Sequence, residues 1–274
     1  MIRKKRLDLL VQSLLPQLSR NQVASFIMQE KVTVDGKTVT KAGTLVAEDA
    51  EIVCDITRPK FVCRAGYKLE KALEEFDIKL ENSVVLDVGA STGGFTDCLL
   101  KHGAKKVYCI DVGYGQLDWR LRNDTRIVNL EKTNIRYLDT KKVNIHFDLA
   151  TIDVSFISLA KVLPVVNNFV KADGKVIALI KPQFEAGREK VRKGGIVDDP
   201  VIHREIIIEL IDSVSDYQVL NITYSPIKNS PGNIEYLIHL KKNKGCKAEI
   251  NPGIVENVIN QAYQYFFNKD IGKN

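Results

Sequence analysis

The sequence predicts an α/β protein: a Rossmann-like, mostly parallel sheet with helices on both faces, preceded by a small α+β domain. Two observations predict this fold class. From residue 66 onward, apolar strands alternate with helical patterns, which is typical of a parallel sheet covered on both faces. The first 57 residues instead contain two short amphipathic segments and a hairpin signal. We therefore predict domains at 1–57 and 66–274, joined by a linker at 58–65.

The composition narrows the class of protein. The 274 residues are 45% hydrophobic and 27% charged, which is ordinary for a globular protein. No apolar run approaches the roughly 18 to 20 residues of a membrane helix, and the N-terminus lacks the pattern of a signal peptide. The five cysteines form no C-x-x-C pair, so neither disulfides nor a metal site is expected. We expect a cytoplasmic protein with no membrane partner.

The N-terminal segment carries most of the excess positive charge. Residues 1–64 contain 11 Lys/Arg and 7 Asp/Glu, whereas residues 65–274 contain 29 and 27, so the two parts contribute +4 and +2 to the total of +6. Two helical patterns, RLDLLVQSLLP and SRNQVASFIMQEK with Ser19 as N-cap, precede the hairpin KVTVDGKTV and the strand EIVCDI. Concentrated basic charge attracts nucleic acid or an anionic membrane.

This segment resembles the alpha-L RNA-binding motif of S4-type domains over RLDLLVQ and LSRNQVASFIMQEKVTVDGKTVTKAGTLV. In that family the second helix and the following hairpin present basic groups to folded RNA. Taken singly, each basic residue is equally well explained as an ordinary surface charge. Taken together, the resemblance implies an RNA-binding surface. Its predicted residues are Arg3, Lys4, Lys5, Arg6, Arg20, Lys31, Lys37 and Lys41, with Arg64 beside the linker.

The larger segment predicts seven strands in chain order: SVVLDVG, KKVYCIDVG, RIVNL, FDLATIDVS, GKVIALIKP, YQVLNITYSPI and NIEYLIHLKK. The helical patterns are YKLEKALEEF before the first strand, then GFTDCLLKHG, FISLAKVLPVVNNFV and VIHREIIIELIDSVS. In such sheets ligands bind outside the carboxyl ends of the strands. We therefore expect the functional residues to follow the strands directly.

The loop LDVGASTGGF after the first strand indicates a ligand site. It fits neither G-x-G-x-x-G, because residues 91 and 92 are Ser and Thr, nor a phosphate loop, which needs a lysine. Its spacing resembles the first motif of class I S-adenosylmethionine-dependent methyltransferases, although a tight strand-to-helix turn is the simpler alternative. The resemblance implies S-adenosyl-L-methionine as cofactor, its amino group organised by Asp87. The predicted cofactor-binding residues are Asp87, Gly89, Ala90, Ser91, Thr92, Gly93, Gly94 and Phe95.

Later strand ends extend this predicted cofactor site. Asp111, followed by Val112, ends the next strand about 20 residues on, where a carboxylate accepts both ribose hydroxyls in related folds. Thr133 and Asn134 follow the third strand, at the place where this fold contacts adenine. Asp153 follows the fourth strand and completes the predicted set. The side chain of Trp119 fits either stacking on a base or a place in the core.

Four polar residues suit chemistry at a hydroxyl group: Lys68, Asp153, Lys181 and Glu235. Lys181 is unusual because it ends an apolar strand and precedes a proline. An apolar wall and a second lysine lower the pKa of an amine, whereas two carboxylates orient it and oppose that shift. The set suits general-base removal of a proton from a poorly acidic hydroxyl.

These residues, in this order, resemble the catalytic tetrad of the FtsJ-like 2'-O-ribose methyltransferases, and the TlyA family is closer still. The resemblance includes CRAGYKLEKALEEF, DVGYGQLDWRLRND, LEKTNIR, DVSFISLAKVLP, LIKPQFEAGRE, GGIVDDP and SPGNIEYL. One departure is Cys63, where the family often has serine. The resemblance implies 2'-O-methylation of cytidine in small- or large-subunit ribosomal RNA, with ribosomal RNA or ribosomal subunits as partners. Lys181 would activate the hydroxyl, Asp153 and Lys68 would position Lys181, and Glu235 would place the ribose.

Other classes of function remain open at this point. Many members of the family carry a haemolysin label, so a membrane-active protein is one alternative. A non-catalytic RNA-binding factor for ribosome assembly is another. The polar segment AGREKVRKGGIVDDP after Lys181 fits either a mobile flap facing the substrate or a disordered surface loop.

Overall fold

The computed structural model describes residues 3–28, 30–55, 59–139, 143–229 and 232–267. The chain divides into two compact units, Met1–Lys60 and Phe61–Asn274. Phe61, within the predicted linker, is 2% exposed and belongs to the core of the second unit. Its ring meets that of Tyr67 edge to face, with the centroids 5.1 Å apart. Residues 61–65 therefore pack as part of the second unit, and residues 56–58 lie outside the described chain.

The first unit contains short elements around one small core. In chain order they are β1 (Lys4–Arg6), α1 (Leu7–Leu14), α2 (Arg20–Met28), β2 (Val32–Val34), β3 (Lys37–Thr38), β4 (Leu45–Ala47) and β5 (Ile52–Cys54). Strands β3, β2 and β5 form one antiparallel sheet, and β1 pairs with β4 in another. The β1–β4 pair was not predicted, because three-residue strands show too little alternation to identify.

Two local sequence signals in this unit are confirmed. Ser19 Oγ accepts a hydrogen bond from the backbone N of Gln22 at 3.3 Å, while Gln22 Oε1 accepts one from the backbone N of Ser19 at 2.8 Å. This reciprocal pair is a capping box at the start of α2. Asp35 and Gly36 both have positive φ angles, 48° and 73°, as a two-residue type I′ hairpin turn requires.

The second unit is a seven-stranded sheet covered on both faces. Its strands are β6 (Val84–Val88), β7 (Lys106–Ile110), β8 (Ile127–Leu130), β9 (Phe147–Ile152), β10 (Val170–Ile180), β11 (Ser215–Tyr224) and β12 (Tyr236–Lys247). Its α-helices are α3 (Ala65–Glu75), α4 (Gly94–Lys101), α5 (Trp119–Arg122), α6 (Leu163–Val166), α7 (Pro182–Glu185), α8 (Pro200–Asp212) and α9 (Pro252–Phe267). Alternate residues of β10 belong to two separate apolar clusters, one on each face.

The strand order brings the predicted site residues to one end of the sheet, where the parallel strands have their carboxyl ends. The order is β11-β12-β10-β9-β6-β7-β8, parallel from β10 to β8, with β12 antiparallel to β10 and β11. Val88 is paired with both Ile110 and Ile152. The residues that follow β6, β7 and β9 therefore meet at the carboxyl ends of the parallel strands. The predicted α/β fold with a mostly parallel sheet is confirmed.

Two helical regions differ from the prediction. The pattern FISLAKVLPVVNNFV predicted one helix, but the chain forms a 3₁₀ turn at Leu159–Lys161 and then the four-residue α6. Pro164 explains the interruption, because it lacks the N–H that a continuous helix needs at that position. Helix α9 was not predicted, and it packs on α8 and β11. Among the described residues, no helix is long and apolar enough to cross a membrane.

Candidate active site

The glycine loop is fixed by close contacts inside the protein. Gly89 and Gly93 have φ angles of +85° and +94°, a conformation that favours glycine. A Cβ atom on Gly89 would lie 2.3 Å from the Asp153 carbonyl oxygen, and one on Gly93 would lie 2.2 Å from Cδ1 of Leu121. A Cβ atom on Gly94 would lie 2.5 Å from Sγ of Cys63. The loop therefore requires glycine at these positions, because other residues of the protein lie too close to leave room for a side chain.

The Asp111 carboxylate ties this loop to the end of β7. Its Oδ2 accepts a hydrogen bond from the backbone N of Ser91 at 2.8 Å, and its Oδ1 accepts one from the backbone N of Gly113 at 2.7 Å. A carboxylate has about four acceptor positions, so lone pairs remain for a ligand. Asp111 thus both shapes the loop and presents acceptor oxygens beside it.

A cavity of about 510 Å³ opens at the carboxyl ends of β6, β7 and β9, a usual size for a site that binds a small molecule. The residues of the predicted cofactor set that line it are Gly89, Ser91, Asp111, Val112, Thr133, Asn134 and Asp153. The other lining residues were not predicted: Val88, Ile110, Gln116, Ile135, Arg136, Val154, Ser155, Phe156, Ile157 and Val162. Several are the last residue of a strand or the first few after it, which is the signal that would have identified them.

The remaining six predicted cofactor residues lie outside this lining: Asp87, Ala90, Thr92, Gly93, Gly94 and Phe95. Asp87 is completely buried behind the loop. Its Oδ2 accepts a hydrogen bond from the Thr96 hydroxyl at 2.6 Å, and its Oδ1 accepts one from the Thr151 hydroxyl at 2.9 Å. Burial raises the pKa of Asp87 to about 6, although these two hydrogen bonds oppose the change. In this arrangement Asp87 connects α4 to β9 beneath the loop.

The four predicted catalytic residues form two ion pairs, Lys68–Glu235, which is buried, and Lys181–Asp153, which is partly buried. Lys181 Nζ lies 2.6 Å from Asp153 Oδ1 and donates a hydrogen bond to Ser155 Oγ at 3.0 Å. Lys68 Nζ lies 2.5 Å from Glu235 Oε2. The side chain of Glu235 is only 1% exposed. Two lysines and two carboxylates balance in charge, which makes their burial tolerable, because each charge has an opposite partner.

Strand register brings these two pairs to the same end of the sheet. Asp153 and Lys181 each directly follow one of two adjacent parallel strands, β9 and β10. Ile180 at the end of β10 is opposite Tyr236 at the start of the antiparallel β12. The next pair along that register is Lys181 and Glu235. Glu235 directly precedes β12 and therefore lies at this end of the sheet. Helix α3 supplies Lys68.

Phe156 is an unusual residue beside this site. It lines the cavity, is 91% exposed and has a φ angle of +64°, a conformation that is rare for a bulky side chain. Its ring centroid lies 4.9 Å from that of Phe184, and Nζ of Lys181 lies 5.8 Å from the Phe184 centroid. Backbone strain of this kind is concentrated at functional sites. An exposed aromatic surface thus adjoins Lys181.

The polar segment after α7 forms a hairpin. Arg192 and Ile196 form a bridge, and the turn between them contains Gly194 and Gly195 with positive φ angles. Asn233, 1% exposed, accepts a hydrogen bond from the backbone N of Val197 at 2.8 Å. Its Nδ2 donates to the carbonyl of Gly195, also at 2.8 Å. These bonds attach the segment to the chain around Glu235, which favours a structured hairpin over a disordered loop.

A buried histidine provides a second anchor for the same hairpin. His203 is fully buried, and its Nε2 donates a hydrogen bond to the carbonyl of Val197 at 2.9 Å. Its Nδ1 therefore accepts, from the hydroxyl of Tyr236 at 2.7 Å. Asn233 and Tyr236 stand on either side of Glu235. The hairpin is consequently attached to the chain on both sides of a predicted catalytic residue.

The predicted RNA-binding residues are all exposed: Arg3, Lys4, Lys5, Arg6, Arg20, Lys31, Lys37, Lys41 and Arg64. Arg64 stands alone in the second unit, directly before α3. Lys31 faces Asp55 at 3.5 Å. Trp119 is 71% exposed at the start of α5, so its interpretation as a core residue is wrong.

Comparison with known proteins agrees with this organisation. A family model for FtsJ-like methyltransferases matches residues 61–242, and one for the S4 domain matches residues 5–52. The chain is 45% identical to Hemolysin A of Brachyspira hyodysenteriae, over 81% of this chain and 93% of that protein. It is 40% identical to the 16S/23S rRNA (cytidine-2'-O)-methyltransferase TlyA of Mycobacterium tuberculosis, over 81% and 84%.

A relative and a solved structure extend the comparison. The 23S rRNA (cytidine-2'-O)-methyltransferase TlyA of Campylobacter jejuni is 34% identical, over 82% of this chain and 95% of that protein. A solved structure described as a hemolysin of Streptococcus thermophilus is 36% identical with a TM-score of 0.76, and covers 99% of this chain and 100% of that one.

Asp87 predicts a specific pH dependence of stability. Because the pKa of Asp87 rises from its ordinary value of about 4 to about 6, the folded protein keeps a proton that the unfolded chain has lost. The free energy of unfolding should therefore fall by up to about 3 kcal/mol as the pH rises through this window. Asp87→Asn should remove the part of that fall that lies between pH 4.5 and 7.5, about 2 kcal/mol, in urea titrations at those two pH values.

The matched control is Glu256→Gln, which removes an exposed carboxylate from α9. It should keep the pH dependence of the parent protein. An Asp87→Asn variant with the same pH dependence as its parent would show that the charge of Asp87 is not the cause.

The hydrogen bonds of Asn233 predict that the 192–196 hairpin is held rigidly. Asn233→Ala removes both of its side-chain hydrogen bonds to the hairpin, and each buried bond lost costs about 1–3 kcal/mol locally. Trypsin under native conditions should then cleave after Arg192 or Lys193 at least about tenfold faster, since tenfold corresponds to about 1.4 kcal/mol. Asn221→Ala on β11 is the control, and equal cleavage of both variants would contradict the anchoring role.

Proposed function

The chain belongs to the FtsJ-like methyltransferase family, and from this premise we propose that it transfers methyl groups from S-adenosyl-L-methionine to ribose 2'-hydroxyls of cytidine in ribosomal RNA. Relatives that are 34% and 40% identical over most of the chain are rRNA (cytidine-2'-O)-methyltransferases by name. These relatives differ in their named substrate, which is 16S and 23S rRNA for one and 23S rRNA for the other.

The observation that carries the proposal is the double position of Asp153. Its side chain lines the cavity and also pairs with Lys181 at 2.6 Å. A cofactor in the cavity and a hydroxyl at Lys181 would therefore be neighbours. Holding two reactants in the right geometry accounts for a large part of the acceleration of a transfer reaction.

The cavity suits S-adenosyl-L-methionine better than a phosphate-bearing nucleotide. Asp111 and Asp153 give it acceptor oxygens, which suit ribose hydroxyls and positively charged groups, and Ile110 and Ile135 give it apolar walls. When bound, this cofactor supplies a methyl group made electrophilic by the positive charge on its sulfur. Thr133 and Asn134 would lie along the adenine, as their place after β8 suggests.

The loop itself also argues against a phosphate ligand. The N–H groups of Gly89 and Ala90 donate to the carbonyl of Ile110, that of Ser91 donates to Asp111, and that of Gly93 donates to the carbonyl of Ala90. A phosphate cradle works by pointing such groups at the ligand. Four of the N–H groups of this loop are already used within the protein. The ligand that fits is one that needs close backbone approach and no anion cradle.

Lys181 is proposed as the group that removes the 2'-hydroxyl proton. An ammonium ion has no lone pair, so only the amine with its lone pair free can accept this proton. Asp153 and Ser155 hold Nζ in place. Phe184 supplies an apolar surface near the same atom. The hydroxyl oxygen thus becomes a better nucleophile at the moment of transfer.

Lys68 and Glu235 are proposed to position the acceptor ribose. Glu235 is almost completely buried and reaches the site opposite Lys181 in strand register. Its partner Lys68 neutralises it at 2.5 Å. This second ion pair keeps the local charge balanced, and Glu235, whose side chain is only 1% exposed, would act on the ribose by fixing Lys68.

The N-terminal domain, residues 1–57, is proposed to bind ribosomal RNA, and the methyltransferase domain, residues 66–274, to carry out the reaction. The S4 match and the exposed basic residues support the first assignment. Ribosomal RNA as substrate places the protein in the cytoplasm, with ribosomal subunits as further candidate partners.

Lys181→Ala should lower kcat by about 10²–10⁴-fold, because it removes the proton acceptor. The measurement is transfer of tritiated methyl groups to purified 30S and 50S subunits. Binding of S-adenosylhomocysteine, followed by calorimetry, should change less than about twofold, since Lys181 is not among the residues that line the cavity.

The control for this experiment is Lys244→Ala, an exposed lysine of β12. It should methylate at the parental rate. Transfer by Lys181→Ala at that same rate would remove Lys181 from the chemistry, and absence of transfer by the parent protein to either subunit would reject the proposed function.

Phe156→Ala should weaken productive binding of RNA. An exposed aromatic ring that packs against Phe184, the aromatic neighbour of Lys181, is suited to stack on an unpaired base, which is worth about 1–3 kcal/mol per base. We expect kcat/KM for ribosomal subunits to fall by about 5- to 100-fold, with recovery in Phe156→Trp. Equal kcat/KM for Phe156→Ala and the parent would contradict the stacking role.

A further inference from the structure

Asp8 in the first unit is a buried carboxylate that two arginines share. It lies in the first turn of α1 and is 3% exposed. Arg6 donates to it through Nε at 3.0 Å and Nη2 at 2.8 Å, and Arg20 donates through Nε at 3.1 Å and Nη2 at 3.0 Å. Both arginines are predicted RNA-binding residues, whereas nothing in the sequence pattern singled out Asp8.

The shared carboxylate fixes the distance between the two guanidinium groups. Both Nη2 atoms lie on the same oxygen, Oδ2 of Asp8, at 2.8 and 3.0 Å. The two Nη2 atoms therefore cannot lie farther apart than the sum of these two distances. One phosphate group can bridge a gap of that size. Without Asp8, the two like charges would repel and the long side chains would adopt many rotamers.

The surrounding backbone holds this group rigidly. The backbone N of Asp8 donates to the carbonyl of Ala42 at 3.0 Å, and that of Leu7 donates to the carbonyl of Thr44 at 2.8 Å. The guanidinium of Arg6 lies against Gly43 in the same turn. The turn begins at Lys41, another predicted RNA-binding residue. The two arginines are thus presented beside a third basic residue.

The charge balance of the group indicates a ligand rather than a purely structural pair. One arginine would suffice to neutralise Asp8, and hydrogen bonds from Arg6 are the main reason that the pKa of Asp8 is lowered to about 2. Two arginines leave one positive charge in excess. The side chains of Arg6 and Arg20 remain 46% and 54% exposed, so N–H groups are available to an anion from solvent.

We propose that Asp8 is a positioning residue for RNA binding, which fixes Arg6 and Arg20 side by side as one composite site for a single RNA phosphate. The inference rests on the proposed function, because it takes ribosomal RNA as the ligand. Guanidinium groups bind phosphate oxygens through paired N–H donors. Phosphate contacts of this kind set the register of a protein on its nucleic acid.

Asp8→Asn provides a test in which two explanations predict opposite signs. By charge alone, removal of a carboxylate from a basic surface should tighten RNA binding. If Asp8 positions the arginines, binding should instead weaken by about tenfold, equivalent to about 1.4 kcal/mol. The measurement is filter binding of the full-length protein to deproteinised 16S and 23S ribosomal RNA. Glu48→Gln, which removes an exposed carboxylate of the same unit, is the matched control.

The salt dependence separates positioning from general loss of structure. Loss of one phosphate contact should reduce the slope of log affinity against log salt concentration by about 1. In the background Arg6→Ala/Arg20→Ala, Asp8→Asn should no longer weaken binding, because the groups that it positions are absent. A structural role would weaken binding in that background too.

A charge-conserving pair covers the case in which Asp8→Asn does not fold. Arg6→Lys and Arg20→Lys keep the net charge but lose the planar fork, so each should weaken RNA binding at least about threefold. Tighter or unchanged binding by Asp8→Asn, or full binding by both lysine variants, would overturn the proposal. Failure of the parent protein to bind either RNA would reject the proposed function instead, and with it the premise of this inference.

Discussion

The site depends on Asp153, which connects three parts of the second unit. Its backbone N donates to the carbonyl of Val88 at 2.9 Å, and its own carbonyl lies where a side chain on Gly89 would collide. Its carboxylate holds Lys181. The end of β6, the glycine loop and the end of β10 are therefore positioned by a single residue. Displacement of its backbone would disturb the cavity and the lysine together.

Much of this site could be predicted, because parallel strands impose a simple rule. Asp111, Asp153 and Lys181 each directly follow a strand, and that position alone brought them to one edge. The pairing of Lys68 with Glu235 instead of a place beside Lys181 was not predictable, since Glu235 comes from the start of the antiparallel β12 and Lys68 from α3. Phe156 was missed for another reason: its significance lies in a backbone conformation that the sequence does not show.

The buried carboxylates show a second limit of sequence reasoning. Asp87 looked like a ligand-binding residue because it precedes the glycine loop, yet its oxygens meet Thr96 and Thr151. Nothing in the sequence pattern singled out Asp8, yet it meets two arginines from different elements. In both cases the partners are distant in sequence or on another element. Motif spacing cannot distinguish a carboxylate that faces a ligand from one that organises its neighbours.

The cavity and the predicted residue Glu235 belong to different strands of the sheet. The cavity lies over β6, β7 and β9, whereas Glu235 and the hairpin held by Asn233 belong to the side of β10 and β12. Segments on the side of β10 and β12 can therefore lengthen, shorten or change sequence without altering β6, β7 and β9, the strands that shape the cavity. With this separation, the nucleotide that an enzyme of this kind methylates could change during evolution while its methyl donor stays the same.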